Sequence, residues 1–426
     1  MAAYRAPVAW RAPLYALYAA DAISLTGNAA AQLAIPWYVL TTTGSATLTA
    51  LVVFFNFLPI VLAAFFGGVI VDRLGFRTTS VVADLASAAT VAAIPLLHST
   101  IGIELWQLMT LVFLGALLDA PGATARAALL PDMAEGAGVR IERASGIRGG
   151  IQQGAQLVGA PLGGLLVAGL GATNALWLDS ASFLVSAALV TFFVPRPGKG
   201  AEEKKPGRFL TELAEGMHFI WKQRVLRAVV LTVLLTNLLD APFPVVMAVF
   251  AKDEYGSAAD LGLMYGVLGG AALVGALVFS AIGHRLPRRR TFVGCFAVLP
   301  IMYLTMATGP ALPVALVALA IVGLAAGPIN PLLYTVQAEI VPSRLRGRVF
   351  GAARAGAWAA IPLGVLAGGA LVAAIGVAAT FLVIGVGYTA VVGYGFFNPA
   401  FREMDRKRES SDAAAPVDAV EPGPRS

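Results

Sequence analysis

The chain has 426 residues, of which 58% are hydrophobic and 13% charged, with a formal net charge of +6 and a mean hydropathy of +0.79. A soluble surface takes about a quarter of a chain's residues as charge. Half that amount excludes an ordinary water-soluble globular protein and points to a bundle of helices facing lipid.

Apolar stretches of about 17 to 25 residues cross a hydrocarbon core about 30 Å thick. The first six lie near 13–40, 46–71, 78–97, 105–127, 146–168 and 174–194. Met1 to Trp10 lead into the first without a small-residue cleavage site, so that stretch reads as an uncleaved helix. A polar segment, Pro195 to Arg227, follows. Within it Leu213, Met217, Ile220 and Trp221 have the spacing of a short amphipathic helix lying at the interface. Six more stretches lie near 226–250, 259–283, 291–308, 312–336, 349–372 and 377–397. The ninth and tenth part at Thr308-Gly309-Pro310. After Pro399 the tail is charged and rich in Ala, Pro and Ser, a composition of disorder. The expected fold class is an all-α membrane protein of twelve transmembrane helices in two pseudo-symmetric six-helix bundles. The expected divisions are 1–194 for the first bundle, 195–225 for the linker, 226–398 for the second and 399–426 for the tail.

Charge supplies the topology. With the N-terminus in the cytoplasm and strict alternation, every Lys and Arg of the 30 except Lys252 falls in cytoplasmic loops, helix ends or tails. Basic loops resist translocation, so both termini are expected inside. The net positive charge is then a mark of topology, and nucleic-acid binding is not expected.

The halves echo each other at a shift of 212 residues. Gly44-Ser45-Ala46 recurs as Gly256-Ser257-Ala258, Arg73-Leu74 as Arg285-Leu286, and Arg77 as Arg289. Two six-helix halves in one orientation imply a pseudo-two-fold axis along the membrane normal, with a substrate site between them near the midplane.

Gly68-Val-Ile-Val-Asp72-Arg73-Leu-Gly75-Phe-Arg77 follows the second span. It resembles the loop motif of the major facilitator superfamily, G-x-x-x-D-R-x-G-R-R/K, with Phe76 in place of a basic residue. Ser24-Leu-Thr-Gly-Asn28, the Pro121 to Asp132 stretch with Arg126, Leu178-Asp-Ser180 and Arg346-Gly-Arg-Val-Phe-Gly351 resemble the bacterial drug-efflux and siderophore-exporter branch. Gly159-Ala-Pro161-Leu-Gly163-Gly164 is similar to the antiporter motif of exporters in that superfamily, with Ala160 for a glycine and a shorter Pro-to-Gly spacing. Small residues let helices approach and a proline bends them, so generic packing is the other reading of Gly159, Pro161, Gly163 and Gly164.

An ionisable side chain at membrane depth is costly and marks binding, proton transfer or a structural bond. Asp21, Asn28 and Gln32 share a face of the first span. Asp240 lies about 21 Å along the seventh at 1.5 Å per residue, and is the repeat counterpart of Asn28. Asp21, Asp240 and Asp119 are the candidate proton-coupling acids. Asp72 and Arg126 are expected to pair as a gate, with Gly68, Arg73, Gly75 and Arg77 shaping the loop. Asn28, Gln32, Trp37, Asn56, Gln152, Gln156, Asn237, Asn330, Tyr334 and Trp358 are the candidate cavity lining, because amides and aromatics suit amphipathic ligands. Asp84, Asp179 and Glu339 read as interhelical hydrogen-bonding groups.

No Walker loop, HExxH or nucleophile elbow occurs, so neither an enzyme nor a self-contained ATP pump is expected. His98, His218 and His284 have no metal-ligand spacing and Cys295 is the lone cysteine, so no metal, cofactor or internal disulfide is expected. The resemblance implies a monomeric secondary transporter of the bacterial cytoplasmic membrane, working by alternating access. Its implied partners are a small amphipathic or siderophore substrate for export, protons, and the lipid bilayer. An uptake carrier and a non-transporting receptor are the alternatives.

Overall fold

A computed structural model of the protein describes residues 8–195, 209–342 and 345–402, with side chains in 60–73 and at a few isolated positions left undescribed. A chain in lipid must satisfy its backbone polar groups internally, and the described residues form helices and turns with no strand. The first six are α1 (Val8–Thr43), α2 (Ala46–Leu74), α3 (Phe76–Thr100), α4 (Leu105–Gly136), α5 (Ile141–Leu170) and α6 (Ala172–Phe193). Their boundaries have local causes. Glu104 and Gln107 cap the start of α4 reciprocally. Gly171, at φ 88°, ends α5 and starts α6 with a backbone turn that other residues resist.

Nine helices follow among the described residues: α7 (Phe209–Lys222), α8 (Arg224–Asp240), α9 (Phe243–Glu254), α10 (Ala258–Ile282), α11 (Arg288–Met306), α12 (Leu312–Ala326), α13 (Ile329–Ile340), α14 (Arg346–Ala359) and α15 (Ile361–Phe397). Three of the spans expected to be continuous are broken. Pro242, Pro328 and Pro362 sit at the α8/α9, α12/α13 and α14/α15 junctions. Proline lacks the N–H that would continue the ladder and collides with the preceding turn. α15 reverses at Gly376, φ 80°, so its two parts belong to consecutive spans.

Eight segments among the described residues are long and apolar enough to cross a membrane, the last of them (346–397) twice because of Gly376. With α1, α2 and α11 alongside, the described residues make twelve spans. Large apolar side chains such as Leu165, Phe192, Leu277 and Val386 stay at least half exposed, as a lipid-facing surface requires. α1 packs on α5 and α6, α3 on α4 and α6, and α2 on α4. Likewise α10 packs on α12, and α11 and α8 on α15.

The repeat is visible atom by atom. A Cβ on Gly159 would lie 2.7 Å from Thr26 O and 2.6 Å from the Ala29 Cβ, and one on Gly364 would lie 2.6 Å from both Leu238 O and the Ala241 Cβ. Leu238 and Ala241 are the counterparts of Thr26 and Ala29 at the 212-residue shift. Gly163 against Ala30 is matched by Gly368 against Pro242. Gly164 faces Ala258 and Gly262, while Gly369 faces Ala46 and Ala50, so each half supplies the same seam to the other. Arg77 donates to the carbonyls of Val194 and Thr191, and Arg289 donates to that of Phe396.

These seams close one end of the molecule. α5 and α10 touch from Gly164–Ala258 through Pro161–Gly266 to Leu157–Gly270. Lys252 at the end of α9 donates to Leu40 O at the end of α1, 3.1 Å away. The other end, where the α2–α3 and α4–α5 turns lie, carries Arg77, Arg140 and Arg143 and is termed the basic end.

Candidate functional site

A cavity of about 990 Å³ lies between the two sets of helices. Its walls come from α1, α2, α3, α4 and α6 on one side and from α9 and α14 on the other. It runs from Ile35 and Leu111 inside to Gly347 and Arg348 at the basic end, where Leu213 and Met217 of α7 join the rim. α7 is held there by packing of Gly216 against the backbone of Arg348 and by an ion pair between Glu215 and Arg348. The lining is mostly apolar, with Leu25, Ile35, Phe57, Ile94, Phe183 and Trp358 among it. Its ionisable members are Asp119 and Asp179 on one wall and Arg348 and Arg354 on the other.

Behind Asp119 lies a buried charge network. Arg126 Nε donates to Asp21 Oδ1 at 2.7 Å, and its Nη1 to Asp84 Oδ1 at 2.6 Å. Arg148 Nε reaches Asp21 Oδ2 at 2.7 Å. Ser186 Oγ donates to Asp84 Oδ2 at 2.7 Å. Arg126, Asp21 and Asp84 are each at most 2% exposed. Removing charges from water this completely is sustained only by close, multiply bonded partners, and here five helices supply them.

Asp119 stands apart. Its Oδ1 is 3.9 Å from Arg126 Nη2 and accepts no hydrogen bond, while Oδ2 accepts from Asn28 Nδ2 at 3.2 Å. Its side chain keeps 24% exposure and lines the cavity. Two guanidinium groups face three carboxylates, and the two nearer bonds of Arg126 go to Asp21 and Asp84. Asp119 is therefore the supernumerary acid. Asp179, 2% exposed, has only Ser182 as a side-chain hydrogen-bond partner among the described residues and packs over Gly27, where a Cβ would lie 2.5 Å from its Oδ1.

The other half carries no equivalent cluster among the described residues. Asp240, in the position that Asn28 holds in the first half, accepts from Tyr303 Oη at 2.5 Å, and Tyr303 stacks on Tyr388 with centroids 5.4 Å apart. It ends α8 at the break before Pro242, and does not line the cavity.

Of the residues singled out in the sequence, Asn28, Gln32, Asn56 and Trp358 line this cavity. Trp37 does not; it is 8% exposed within the main apolar cluster. Gln152, Gln156, Asn330 and Tyr334 are exposed but do not line it. Asn237 spends its amide on Ala357 O at 2.9 Å. Arg126, expected at a loop gate, lies in the buried network with Asp21 and Asp84. Gly68, Asp72 and Arg73 fall in the stretch whose side chains lie outside the described residues, while Gly75 makes the α2–α3 turn at φ 77°. Arg148 and Arg354 escape sequence reading because the helix ends near them look like ordinary basic termini. The signal that could have found Arg148 is the excess of acids over bases among Asp21, Asp84, Asp119 and Arg126.

The model of the Major Facilitator Superfamily matches residues 17–250 and again 230–421. The multidrug efflux pump Tap of Mycobacterium tuberculosis is 33% identical over 399 residues, covering 93% of this chain and 95% of that one. The pump of the same name from Mycolicibacterium fortuitum is 32% identical over 400 residues, covering 93% and 98%. Among solved structures, a point mutant of the nucleoside transporter NupG superposes with a TM-score of 0.76 at 12% identity, over 92% of this chain and 99% of that one. A repeat seam built twice from the same contacts, twelve spans and a matching family model over nearly the whole chain lead to one assignment: the chain is a multi-pass membrane protein belonging to the Major Facilitator Superfamily.

Proposed function

We propose that the protein is a proton-coupled exporter of amphipathic drug-like molecules, with Asp119 as the acid that carries the coupling proton. The observation that carries this reading is the position of Asp119. It is the one member of the charge network that lines the cavity, and its carboxylate, 24% exposed, makes no close bond to either arginine. A proton can come and go there without dismantling the Arg126–Asp84 and Arg148–Asp21 pairs. Deprotonated, it offers the cavity a negative charge in an apolar setting; protonated, it removes the unmatched charge that opposes closure of the basic end. Asp21 is, with Asp240, a leading candidate by sequence, but both of its oxygens are taken by arginine. Asp240, bonded to Tyr303, is a second acid whose titration would act on the α8/α9 break.

The basic end belongs in the cytoplasm by the positive-inside bias, so the cavity loads from within. The name of the mycobacterial pumps, at a third identity over the full span, supports export of drugs, and the largely apolar lining supports an amphipathic cargo. The protein acts as a carrier and performs no covalent chemistry in this reading.

The test is transport of tetramethylrhodamine in proteoliposomes with and without an imposed pH gradient. The wild type should accelerate with the gradient. Asp119→Asn should run at the no-gradient rate whether or not a gradient is imposed. Gradient-independent flux in the wild type, or full coupling in Asp119→Asn, overturns the assignment.

A further inference from the structure

The α14 wall of the cavity holds a feature that the coupling reading does not use. The guanidinium carbon of Arg354 lies 4.6 Å from the ring centroid of Trp358. Both side chains are exposed and both line the cavity. Among the described residues no carboxylate lies within ion-pairing distance of Arg354, although Arg348, two turns earlier, is paired with Glu215. Gly351 and Ala355 flank the pair and also line the cavity, so nothing bulky on α14 crowds the space before the ring. The platform is held in place. Asn237 of α8 caps Ala357 O at 2.9 Å, and α14 stops two residues later against Pro362.

A guanidinium over an indole is a flat surface whose N–H groups point along its edge. It stacks on planar rings and donates in pairs to an oxyanion, which an ammonium cannot do. The wall opposite presents the supernumerary Asp119, whose side chain lines the cavity and keeps 24% exposure. One ligand chemistry satisfies both sides at once. Building on the export reading, we infer that Arg354 and Trp358 form the anion-recognising half of the substrate site, and that the preferred cargo is a planar amphipathic zwitterion. Its acidic group meets Arg354 and its cationic nitrogen faces Asp119. A purely cationic amphipath fits only one wall and leaves Arg354 facing a like charge.

Equilibrium binding to the full chain in lipid nanodiscs tests this with two dyes of one ring system. Tetramethylrhodamine carries a free carboxylate and a delocalised cation; its methyl ester is the cation alone. By fluorescence anisotropy the wild type should bind the acid about tenfold more tightly than the ester, the worth of one charge-assisted contact in a wet site. Arg354→Gln should erase that preference by weakening the acid alone, leaving the ester within about twofold. Arg354→Lys should recover part of it, because charge is kept and the planar fork is lost. Equal binding of the two dyes by the wild type, no binding of either, or an undiminished preference in Arg354→Gln overturns the proposal. Retained ester binding in the variant also shows that the protein is folded. No pH gradient is present, so failure here is separate from failure of proton coupling, which would appear as lost gradient-driven flux with binding intact.

Discussion

At the scale of single residues, the charge network ranks by what each member leaves behind. Asp84 is fully buried between Arg126 and Ser186. Its loss strands half of a guanidinium that is 1% exposed, and breaking a buried pair from one side costs about 3 to 5 kcal/mol. Asp84→Ala should therefore lower the thermal unfolding temperature in detergent sharply. Ser186→Ala, which removes one neutral donor to the same carboxylate, should cost about 1 kcal/mol. Similar shifts in the two variants would argue against the network as a structural keystone. Sequence alone points to Asp21, Asp119 and Arg126 as polar groups at membrane depth, because such residues stand out in an apolar run. It cannot say which of them bond, since the relative rotation of five helices decides that. Trp37 shows the opposite limit: an aromatic on a spanning helix looks the same whether it faces a cavity or the core.

At the scale of elements, the informative feature is the glycine seam between α5 and α10 and its copy between α15 and α2. Gly164 has no room for a side chain, with Ala258 O only 2.6 Å from where its Cβ would be, and Gly369 meets Ala46 O at 3.0 Å. Close approach of this kind replaces the hydrophobic drive that lipid does not supply between helices. Gly164→Leu should wedge α5 from α10, and Gly369→Leu should do the same to α15 and α2. Spin labels placed at residues 43 and 255, in a background with Cys295 replaced by serine, should move apart by several ångströms, a helix-to-helix wedge on the scale of one side chain. Unchanged distances in both variants would remove the seam from the closed end. Both glycine triplets are legible as packing motifs in the sequence. Their partners are not, because two of each triplet pack on a distant helix of their own half and the third, Gly164 or Gly369, on a helix of the other. The breaks at Pro242, Pro328 and Pro362 are legible only as prolines inside apolar runs, a pattern that also fits a kink.

For the whole molecule, twelve spans can be counted from the sequence because membrane thickness sets helix length and because basic residues mark alternate turns. The orientation derived from those charges makes a direct prediction. Single cysteines at positions 102 and 309, in the turns at the closed end, should react in intact cells with a membrane-impermeant maleimide. Cysteines at 75 and 138, at the basic end, should react only after permeabilisation. The reverse pattern would invert the cavity and turn export into uptake.

The bond from Lys252 to Leu40 O joins two positions separated by 212 residues, the period of the repeat itself. A residue touches its own counterpart only where the symmetry axis passes between them, so this pair marks that axis at the closed end. Two identical halves would set the same side chain against itself there, and two ammonium groups would repel across the axis. One lysine facing one carbonyl is an arrangement open only to halves that have diverged. The same holds for the charge network, which only one half carries among the described residues. Symmetry gives this molecule its repeated seams; the loss of symmetry at a few positions on and beside the axis sets its two halves apart.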